Sequence, residues 1–284
     1  MTEKIHFSVI IPLRPKAESA NWKSDCYLLQ KTIQSVLNQT YNSIEVYIIY
    51  TDEPEIKFDH PRVHYHYFPF GYQEYDDIPC REELFVKFKK SKKMVVRRWD
   101  KAKKLCFAAK IAKSNGTDYI MALDSDDRIS IRLMEFLVSS AQKKEVIGWF
   151  INKGYLYRRE DHYLVRFPRN LQNFNGSTHI LRSDIIQIPD FDSQKWQDYN
   201  LFIDHGWVRE RIRKQYKQEL QAVPFYALLY YVHASNISRV QQFIYGNDLK
   251  VMLKRVLYKK KLTDHLKEEF CIGEDDLKGL VISF

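Results

Sequence analysis

The segment YIMALDSDDRIS, residues 119–130, places three aspartates within four positions directly after a run of apolar residues. Asp124, Asp126 and Asp127 repel one another, so the cluster costs stability unless a cation or hydrogen-bond donors share it. Mg²⁺ and Mn²⁺ prefer oxygen ligands and often complete their coordination with substrate phosphates. Alternate residues of an extended segment point to one face, so we expect Asp124 and Asp126 to form a metal-binding pair. Asp127 would then turn away and cap the next helix; the simpler alternative is a solvated turn of capping aspartates.

The elements around this cluster alternate between strand-like and helix-like patterns. Short apolar runs predict strands over residues 7–12, 44–52, 62–68 and 118–124, and helical spacing predicts helices over residues 25–38 and 101–113. We expect Ser24 and Asp25 to cap the first of these helices. The alternation predicts an α/β fold with a mainly parallel sheet flanked by helices. Ligands of such sheets bind beyond the carboxyl ends of the strands, where Asp52 and Asp124 lie.

Four segments in a fixed order carry a more specific signal than the aspartates alone: SVIIPLRP, SVLNQTY, a strand that ends in YTDE, and GTDYIMALDSDD. Together they resemble the family-two glycosyltransferases of the GT-A fold. The resemblance implies a Rossmann-like GT-A fold and a metal-dependent, inverting transfer of a sugar, of the hexosyltransferase type, from a nucleotide-sugar to a hydroxyl acceptor. It implies Mn²⁺ or Mg²⁺ as the cofactor and a glycan or lipid-linked saccharide as the acceptor. By analogy with the family we expect a place in polysaccharide biosynthesis.

The resemblance also assigns roles in donor binding. Asp52 matches the carboxylate that binds the nucleotide base or ribose, and Asp124 and Asp126 match the metal-binding pair, with Asp126 as the direct ligand. The loop that wraps the nucleoside matches Pro12, Leu13 and Arg14. The chain departs from the family twice, with TDEPE where Asp-Gly-Ser is frequent and DKAKKLCFAAK where an Ala-Arg-Asn element is usual. Lys101 or Lys104 would replace the arginine of that element.

The second half of the chain supplies a histidine and a candidate general base. The segment YYVHASNIS resembles a late family motif, which implies that His233 completes the metal site or contacts the diphosphate; the alternative is a histidine in an ordinary loop. For the base we favour Asp204 in FIDHGWVRERI, at the head of a helix, over Asp198 in WQDYNLF. Either aspartate could instead be a helix cap. Arg209 and Arg211 could add positive charge near the diphosphate.

The net charge of the 284-residue chain is +9, and basic residues are concentrated in residues 87–104 and 250–261. Such clusters attract nucleic acid, anionic lipid headgroups or phosphorylated ligands, and the alternative is solvated surface. No zinc-finger, RNP or helix-turn-helix pattern accompanies the charge, so nucleic acid is not the expected partner. We expect a diphosphate ligand and peripheral contact with an anionic membrane.

The cellular location is predicted from three sequence features. No apolar run approaches 18 residues, and the first residues have the pattern of a strand rather than a signal peptide. The four cysteines lie far apart without a CxxC pair, which suits reduced thiols. We therefore expect a cytoplasmic protein with peripheral contact at the inner face of the plasma membrane.

We expect one GT-A domain over residues 1–238, with a nucleotide-binding half (1–127) and an acceptor-binding half (128–238) that contains a β-hairpin, followed by a helical basic tail (239–284). Two other functions stay open. A sugar-phosphate nucleotidyltransferase uses similar aspartates, but PLRPKAESANWK lacks the glycines of its usual loop. A non-catalytic nucleic-acid- or membrane-binding protein on a lapsed enzyme fold would explain the basic clusters but not the retained aspartates and His233.

Overall fold

The computed structural model describes residues 4–55, 57–143, 145–158, 161–232 and 249–277. Within these residues one mixed sheet is covered by helices on both faces. The strands are β1 (Phe7–Pro12), β2 (Ile44–Tyr50), β3 (Val63–Tyr67), β4 (Tyr119–Ala122), β5 (Arg128–Ile129), β6 (Gly148–Tyr157), β7 (Tyr163–Phe167), β8 (His179–Arg182), β9 (Gln221–Tyr231) and β10 (Lys259–Lys261). The helices are α1 (Trp22–Leu37), α2 (Arg81–Lys87), α3 (Lys92–Ser114), α4 (Leu133–Ala141), α5 (Asn200–Ile203), α6 (Val208–Tyr216), α7 (Leu249–Tyr258), α8 (Asp264–Glu269) and α9 (Glu274–Leu277).

The sheet has a parallel half and an antiparallel half. Strands β3, β2, β1 and β4 lie side by side and parallel, and Val9 of β1 is opposite Val46 on one side and Met121 on the other. The order continues through β8, β6, β7 and β10, each antiparallel to its neighbour, while β9 pairs with β6 and β5. This confirms the α/β architecture with helices flanking a partly parallel sheet that is expected from the sequence, and β6 with β7 forms the expected hairpin.

Strand β1 explains why the first apolar run of the sequence is continuous rather than alternating. All six of its residues are buried. Val9 and Ile11 belong to the core that α1 covers, whereas Ile10 belongs to the core that α3 covers. A parallel strand buried on both faces has a near-continuous apolar sequence, and in β1 only Ser8 is polar. The position of β1 at the centre of the parallel half follows from this composition.

The two long helices begin at side-chain caps. The Asn21 side chain accepts a hydrogen bond from the backbone N–H of Ser24 at 2.9 Å, so Asn21 caps α1 and the expectation of Ser24 and Asp25 as caps is wrong. Asn21 has the extended backbone that a capping position requires, whereas Ser24 already lies inside the helix. Ser91 caps α3 by accepting from Met94 N–H at 3.3 Å. Helix α3 is therefore longer than residues 101–113 and carries much of the first basic cluster.

The C-terminal part of the described chain returns to the sheet. β10 pairs with β7, and the buried Arg128 of β5 donates to Asp276 of α9 at 3.0 Å and to the Cys271 carbonyl oxygen at 2.9 Å. Glu269 of α8 accepts from the Ser130 hydroxyl at 2.7 Å. These buried polar contacts tie residues 263–277 to the core. The division of the chain at residue 238 stays a prediction.

Among the residues that the structure describes, no helix combines the length and the apolar character that crossing a lipid bilayer requires.

Candidate active site

The three aspartates of the opening motif lie together beyond the carboxyl end of β4. Asp124, Asp126 and Asp127 can each place one carboxylate oxygen within 4.8 Å of the others. Asp124 and Asp126 are half-buried, while Asp127 is fully buried. Because β1 is the parallel neighbour of β4, the loop after β1 and this cluster meet at the same edge of the sheet.

Asp127 has a different place from the one expected. Helix α4 begins at Leu133 with Arg132 at its cap position, so the prediction that Asp127 caps this helix is wrong. Its carboxylate instead accepts hydrogen bonds from the Asn175 amide at 2.7 Å and the Ser177 hydroxyl at 2.6 Å. The physical reason is burial, since a fully buried carboxylate needs nearby donors and here the segment before β8 supplies them.

The segment before β8 also holds the backbone of the cluster. The Ser177 hydroxyl that donates to Asp127 accepts the Asp124 backbone N–H at 2.8 Å. The Asn175 side-chain oxygen in turn accepts the Ser177 backbone N–H at 2.6 Å. Asn175 and Ser177 are both buried. We name Asp127, Asn175 and Ser177 the anchor network, because they connect the acidic segment to the strand that pairs with β4.

The electrostatics of the cluster favour a bound cation. Burial raises the pKa of Asp127 well above its usual range, and the charges of Asp126 and Asp124 raise it further, against the hydrogen bonds from Ser177 and Asn175. The Asp127 Oδ1 atom is buried and has no hydrogen-bond partner. Three carboxylates, one with an unpartnered buried oxygen, form an oxygen donor set that fits a divalent cation.

Basic side chains line the same cleft as Asp124 and Asp126. The Lys101 ammonium contacts the Asp124 carboxylate, and a methyl group on Gly176 would lie only 2.8 Å from Lys101 Nζ. Arg98 donates to the Ile203 carbonyl oxygen at 3.1 Å. The polar residues that line the cleft include Arg14, Glu18, Arg97, Arg98, Asp100, Lys101, Asp124, Asp126, Asn175, His179 and His205. The cleft therefore carries both signs of charge close together.

The predicted nucleoside loop lines the same cleft. Pro12, Leu13 and Arg14 all contribute to its wall. Arg14 lies 3.8 Å from the Asp25 carboxylate at the start of α1. Lys16 lies further along this loop, and its backbone N–H donates to the carboxylate of Asp52, after β2, at 2.8 Å. In this structure Asp52 therefore holds the loop that follows β1, and its contact with a nucleotide stays a prediction.

Lys104 lies behind the nucleoside loop rather than on the cleft surface. Its fully buried ammonium donates to the Leu13 carbonyl oxygen at 2.9 Å and to the Asp100 carboxylate at 3.0 Å. Burial lowers the pKa of Lys104 and raises that of Asp100, and their mutual attraction opposes both shifts. Of the two predicted lysines, Lys101 contacts the acidic cluster, whereas Lys104 holds the backbone of the loop after β1.

The two candidate bases lie in different surroundings. Asp204 separates α5 from the short 3-10 turn before α6, and its carboxylate is 3.1 Å from Lys87 and 3.9 Å from Arg98. Its side chain makes no capping hydrogen bond, and both of its neighbours in the chain line the cleft. Asp198 instead accepts a hydrogen bond from Ser193 on the exposed surface. The structure thus brings Asp204 to the border of the cleft and leaves Asp198 outside it.

The arginines expected to add charge near a diphosphate have other partners. The Arg209 guanidinium lies 3.9 Å from the centre of the Phe150 ring. Arg211 donates to the Asn200 carbonyl and, at 3.1 Å, to the Asp204 carbonyl. Arg98 of α3 lines the cleft, whereas neither Arg209 nor Arg211 of α6 is among its lining residues. No periodicity in the sequence distinguishes Arg98 from the neighbouring basic residues.

His179 and His205, which the sequence did not identify as site residues, also line the cleft. Burial lowers the pKa of His179 to about 3, and the nearby Arg209 lowers it further. Burial also lowers the pKa of His205 well below its usual value, and the positive charges of Arg98 and Lys101 lower it further. Both imidazoles are therefore neutral near pH 7 and add no positive charge to the cleft. The third histidine, His233, lies outside the described residues.

The inner part of the cleft is apolar. It is lined by Leu105 of α3, Ile120 of β4, Leu181 of β8 and Val208 of α6, all members of the core beneath α3. A ligand that fits this cleft would place a charged group between the acidic cluster and the basic side chains, and an organic group against the apolar wall.

No protein-family model matches the chain, and no curated protein matches it. Among solved structures, the chain is similar to Staphylococcus aureus TarS 1–349 in complex with UDP, with 11% identity, a TM-score of 0.46, and coverage of 80% of this chain and 61% of that chain. TarS 1–349 alone is similar with 11% identity, a TM-score of 0.45 and coverage of 89% and 79%. Francisella tularensis 2-C-methyl-D-erythritol 4-phosphate cytidylyltransferase is similar with 8% identity, a TM-score of 0.38 and coverage of 89% and 99%. The chain thus spans less than two thirds of the first of these chains. A function for it must therefore be argued from its own side chains.

Proposed function

We propose that this protein is an inverting glycosyltransferase that moves a sugar from a nucleotide-sugar to a hydroxyl group of a saccharide or lipid-linked acceptor. One observation supports this function above all: Asp124 and Asp126, backed by the buried Asp127, line the same cleft as Arg98 and Lys101 at the carboxyl edge of parallel strands. Carboxylates alone would repel a diphosphate, and basic side chains alone would bind any anion. Both together suit a diphosphate that binds with a divalent cation.

The acidic cluster would hold the cofactor. Asp124 and Asp126 would bind Mn²⁺ or Mg²⁺, with His233 as a further ligand. When bound, the ion would supply positive charge that stabilises the departing diphosphate. Lys101 and Arg98 would bind the same diphosphate, because both line the cleft with Asp124 and Asp126, and the Lys101 ammonium already contacts the Asp124 carboxylate.

The nucleoside would lie against the loop after β1. Pro12, Leu13 and Arg14 line the cleft there, and the buried Lys104 holds the Leu13 carbonyl oxygen in place. A loop that is fixed before the ligand arrives loses little conformational freedom on binding. Asp52, which holds the same loop through Lys16, would contact the base or ribose.

The transfer itself would be a single displacement. The acceptor hydroxyl oxygen attacks the anomeric carbon while the bond from this carbon to the diphosphate oxygen breaks, and that oxygen keeps the electron pair. Asp204 would accept the hydroxyl proton as general base. Its place at the border of the cleft, ion-paired with the cleft residue Arg98, favours it over the exposed Asp198. Attack from the face opposite to the leaving group inverts the anomeric configuration.

A panel of nucleotide-sugars, incubated with the protein and Mn²⁺, tests the proposal through the released product. A glycosyltransferase releases a nucleoside diphosphate, whereas a nucleotidyltransferase supplied with sugar phosphate and nucleoside triphosphate releases pyrophosphate. We expect nucleoside diphosphate, and we expect Asp126→Asn to abolish its release and to weaken Mn²⁺ binding measured by calorimetry. Nucleotide binding without turnover of any donor, or release of pyrophosphate only, would show that the proposed function is wrong.

The base is tested by a matched pair of variants. Asp204→Asn should lose transfer by about 10²–10⁴-fold, the usual contribution of a general base, while its affinity for the nucleotide stays within a few-fold of the wild type. Asp198→Asn removes the same charge outside the cleft and should transfer normally. If the losses are reversed between the two variants, Asp198 is the base.

A further inference from the structure

The apolar surface of α7 stands out from the rest of the molecule. Nine large hydrophobic side chains are exposed among the described residues, and five of them belong to this ten-residue helix. These five are Met252, Leu253, Val256, Leu257 and Tyr258, with exposed fractions from 38% to 70%. Met252 and Val256 are four residues apart, as are Leu253 and Leu257, so all four lie on one side of the helix. A surface helix normally turns such a stripe toward the core.

The helix is held on the sheet by its opposite side. Val251 and Arg255 are half-buried, and Arg166 of β7 donates to the Leu257 carbonyl oxygen at 3.5 Å. The next residues form β10, in which Lys260 pairs with Leu164 of β7. The sheet edge therefore fixes the orientation of α7, and its apolar stripe points away from the molecule.

Basic residues surround this stripe. Lys254 and the three lysines of β10, Lys259, Lys260 and Lys261, are exposed. Residues 249–263 contain no aspartate or glutamate. An apolar stripe with a basic border is the pattern of a helix that lies in the interface of an anionic bilayer, with its apolar side chains among the acyl chains and its lysines at the headgroups.

A second copy of this chain fits the surface less well. Two α7 faces related by a two-fold axis would bring their basic borders together, and like charges at an interface oppose association. An anionic lipid surface complements the same charges at every point.

We propose that α7 and β10 form a docking surface for an anionic phospholipid bilayer. The apolar stripe of α7 enters the interface, and Lys254 with the lysines of β10 contacts the headgroups. This inference stands independently of glycosyl transfer, because it depends only on the exposed residues of the C-terminal part of the chain.

Vesicle flotation with the whole protein tests the proposal. We expect the wild type to float with vesicles of phosphatidylcholine that contain phosphatidylglycerol, and to float much less with phosphatidylcholine alone. Val256→Glu puts a negative charge into the stripe and should weaken binding about tenfold or more. Val86→Glu is the matched control, because Val86 is equally exposed on α2, at 74% against 70%, beside the other basic cluster. It should bind as the wild type does.

A second pair of variants separates the two basic clusters. Replacement of Lys259, Lys260 and Lys261 by glutamine should remove the preference for anionic vesicles, whereas the same change at Lys89, Lys90 and Lys93 should leave it unchanged. The thermal unfolding midpoint of each variant confirms that it is folded. Three results would each overturn the proposal: equal binding by Val256→Glu and the wild type, loss of binding in Val86→Glu alone, or a wild-type dimer in sedimentation equilibrium that Val256→Glu converts to a monomer that binds vesicles normally.

Discussion

The anchor network allows a sharp prediction at Ser177. Its fully buried hydroxyl donates to the Asp127 carboxylate at 2.6 Å and accepts the Asp124 backbone N–H at 2.8 Å. Ser177→Ala removes both bonds and leaves the Asp127 carboxylate and the Asp124 backbone N–H without this partner. Asp127 would then depend on Asn175 alone, because its second carboxylate oxygen has no hydrogen-bond partner.

The magnitude follows from the two lost bonds. A buried polar group left without its partner costs about 1–3 kcal/mol, and Ser177→Ala leaves two such groups. Ser177→Ala should therefore lower the free energy of unfolding by about 2–4 kcal/mol. The change should also loosen Asp124, and outer partners of metal ligands typically contribute about 10–100-fold to metal affinity.

The assay uses a control that the chain itself provides. Ser193→Ala also removes a serine hydroxyl that donates to an aspartate, Asp198, but on the exposed surface. It should change the unfolding free energy by less than about 0.5 kcal/mol. Denaturant unfolding of both variants, without added metal, measures the first effect, and Mn²⁺ titration by calorimetry measures the second. If Ser177→Ala behaves like Ser193→Ala in both measurements, the anchor network does not position the acidic cluster.

Two further predictions concern stability. Asp276→Ala leaves the buried Arg128 guanidinium without its carboxylate and should cost about 3–5 kcal/mol of unfolding free energy. The control Asp275→Ala, one residue away and exposed, should cost less than about 0.5 kcal/mol. Equal denaturant midpoints for the two variants would show that α9 does not stabilise the core. His179, with its pKa lowered to about 3, stays neutral in the native state while the unfolded chain takes up a proton, so acidification below about pH 6.5 should cost up to about 1.4 kcal/mol per pH unit. Denaturant unfolding between pH 7 and 5 should give a shallower pH dependence for His179→Gln than for the wild type, and parallel curves would contradict the lowered pKa.

The order of elements could be predicted from local sequence. β1 is apolar at every position except Ser8 because it is buried on both faces, and this pattern is readable without a structure. The alternation of such runs with helical stripes predicts the parallel half of the sheet, and the structure confirms it. Helix boundaries were less accurate: Asn21 caps α1 in place of Ser24 and Asp25, because several polar residues stand side by side there and only backbone geometry selects one.

The meeting of Asp124 with the loop of residues 12–14 also followed from sequence, because the carboxyl ends of neighbouring parallel strands share one edge. What only the tertiary structure decided is the environment of each side chain. Asp127 and Lys104 are charged residues in polar stretches of sequence, yet both are fully buried, since Ser177 and Leu13, from distant parts of the chain, supply their hydrogen-bond partners. Periodicity describes a residue's own element, whereas burial depends on what packs against that element. For this reason the sequence predicted the ligand pair at the strand end, and the fold alone showed the network that holds it.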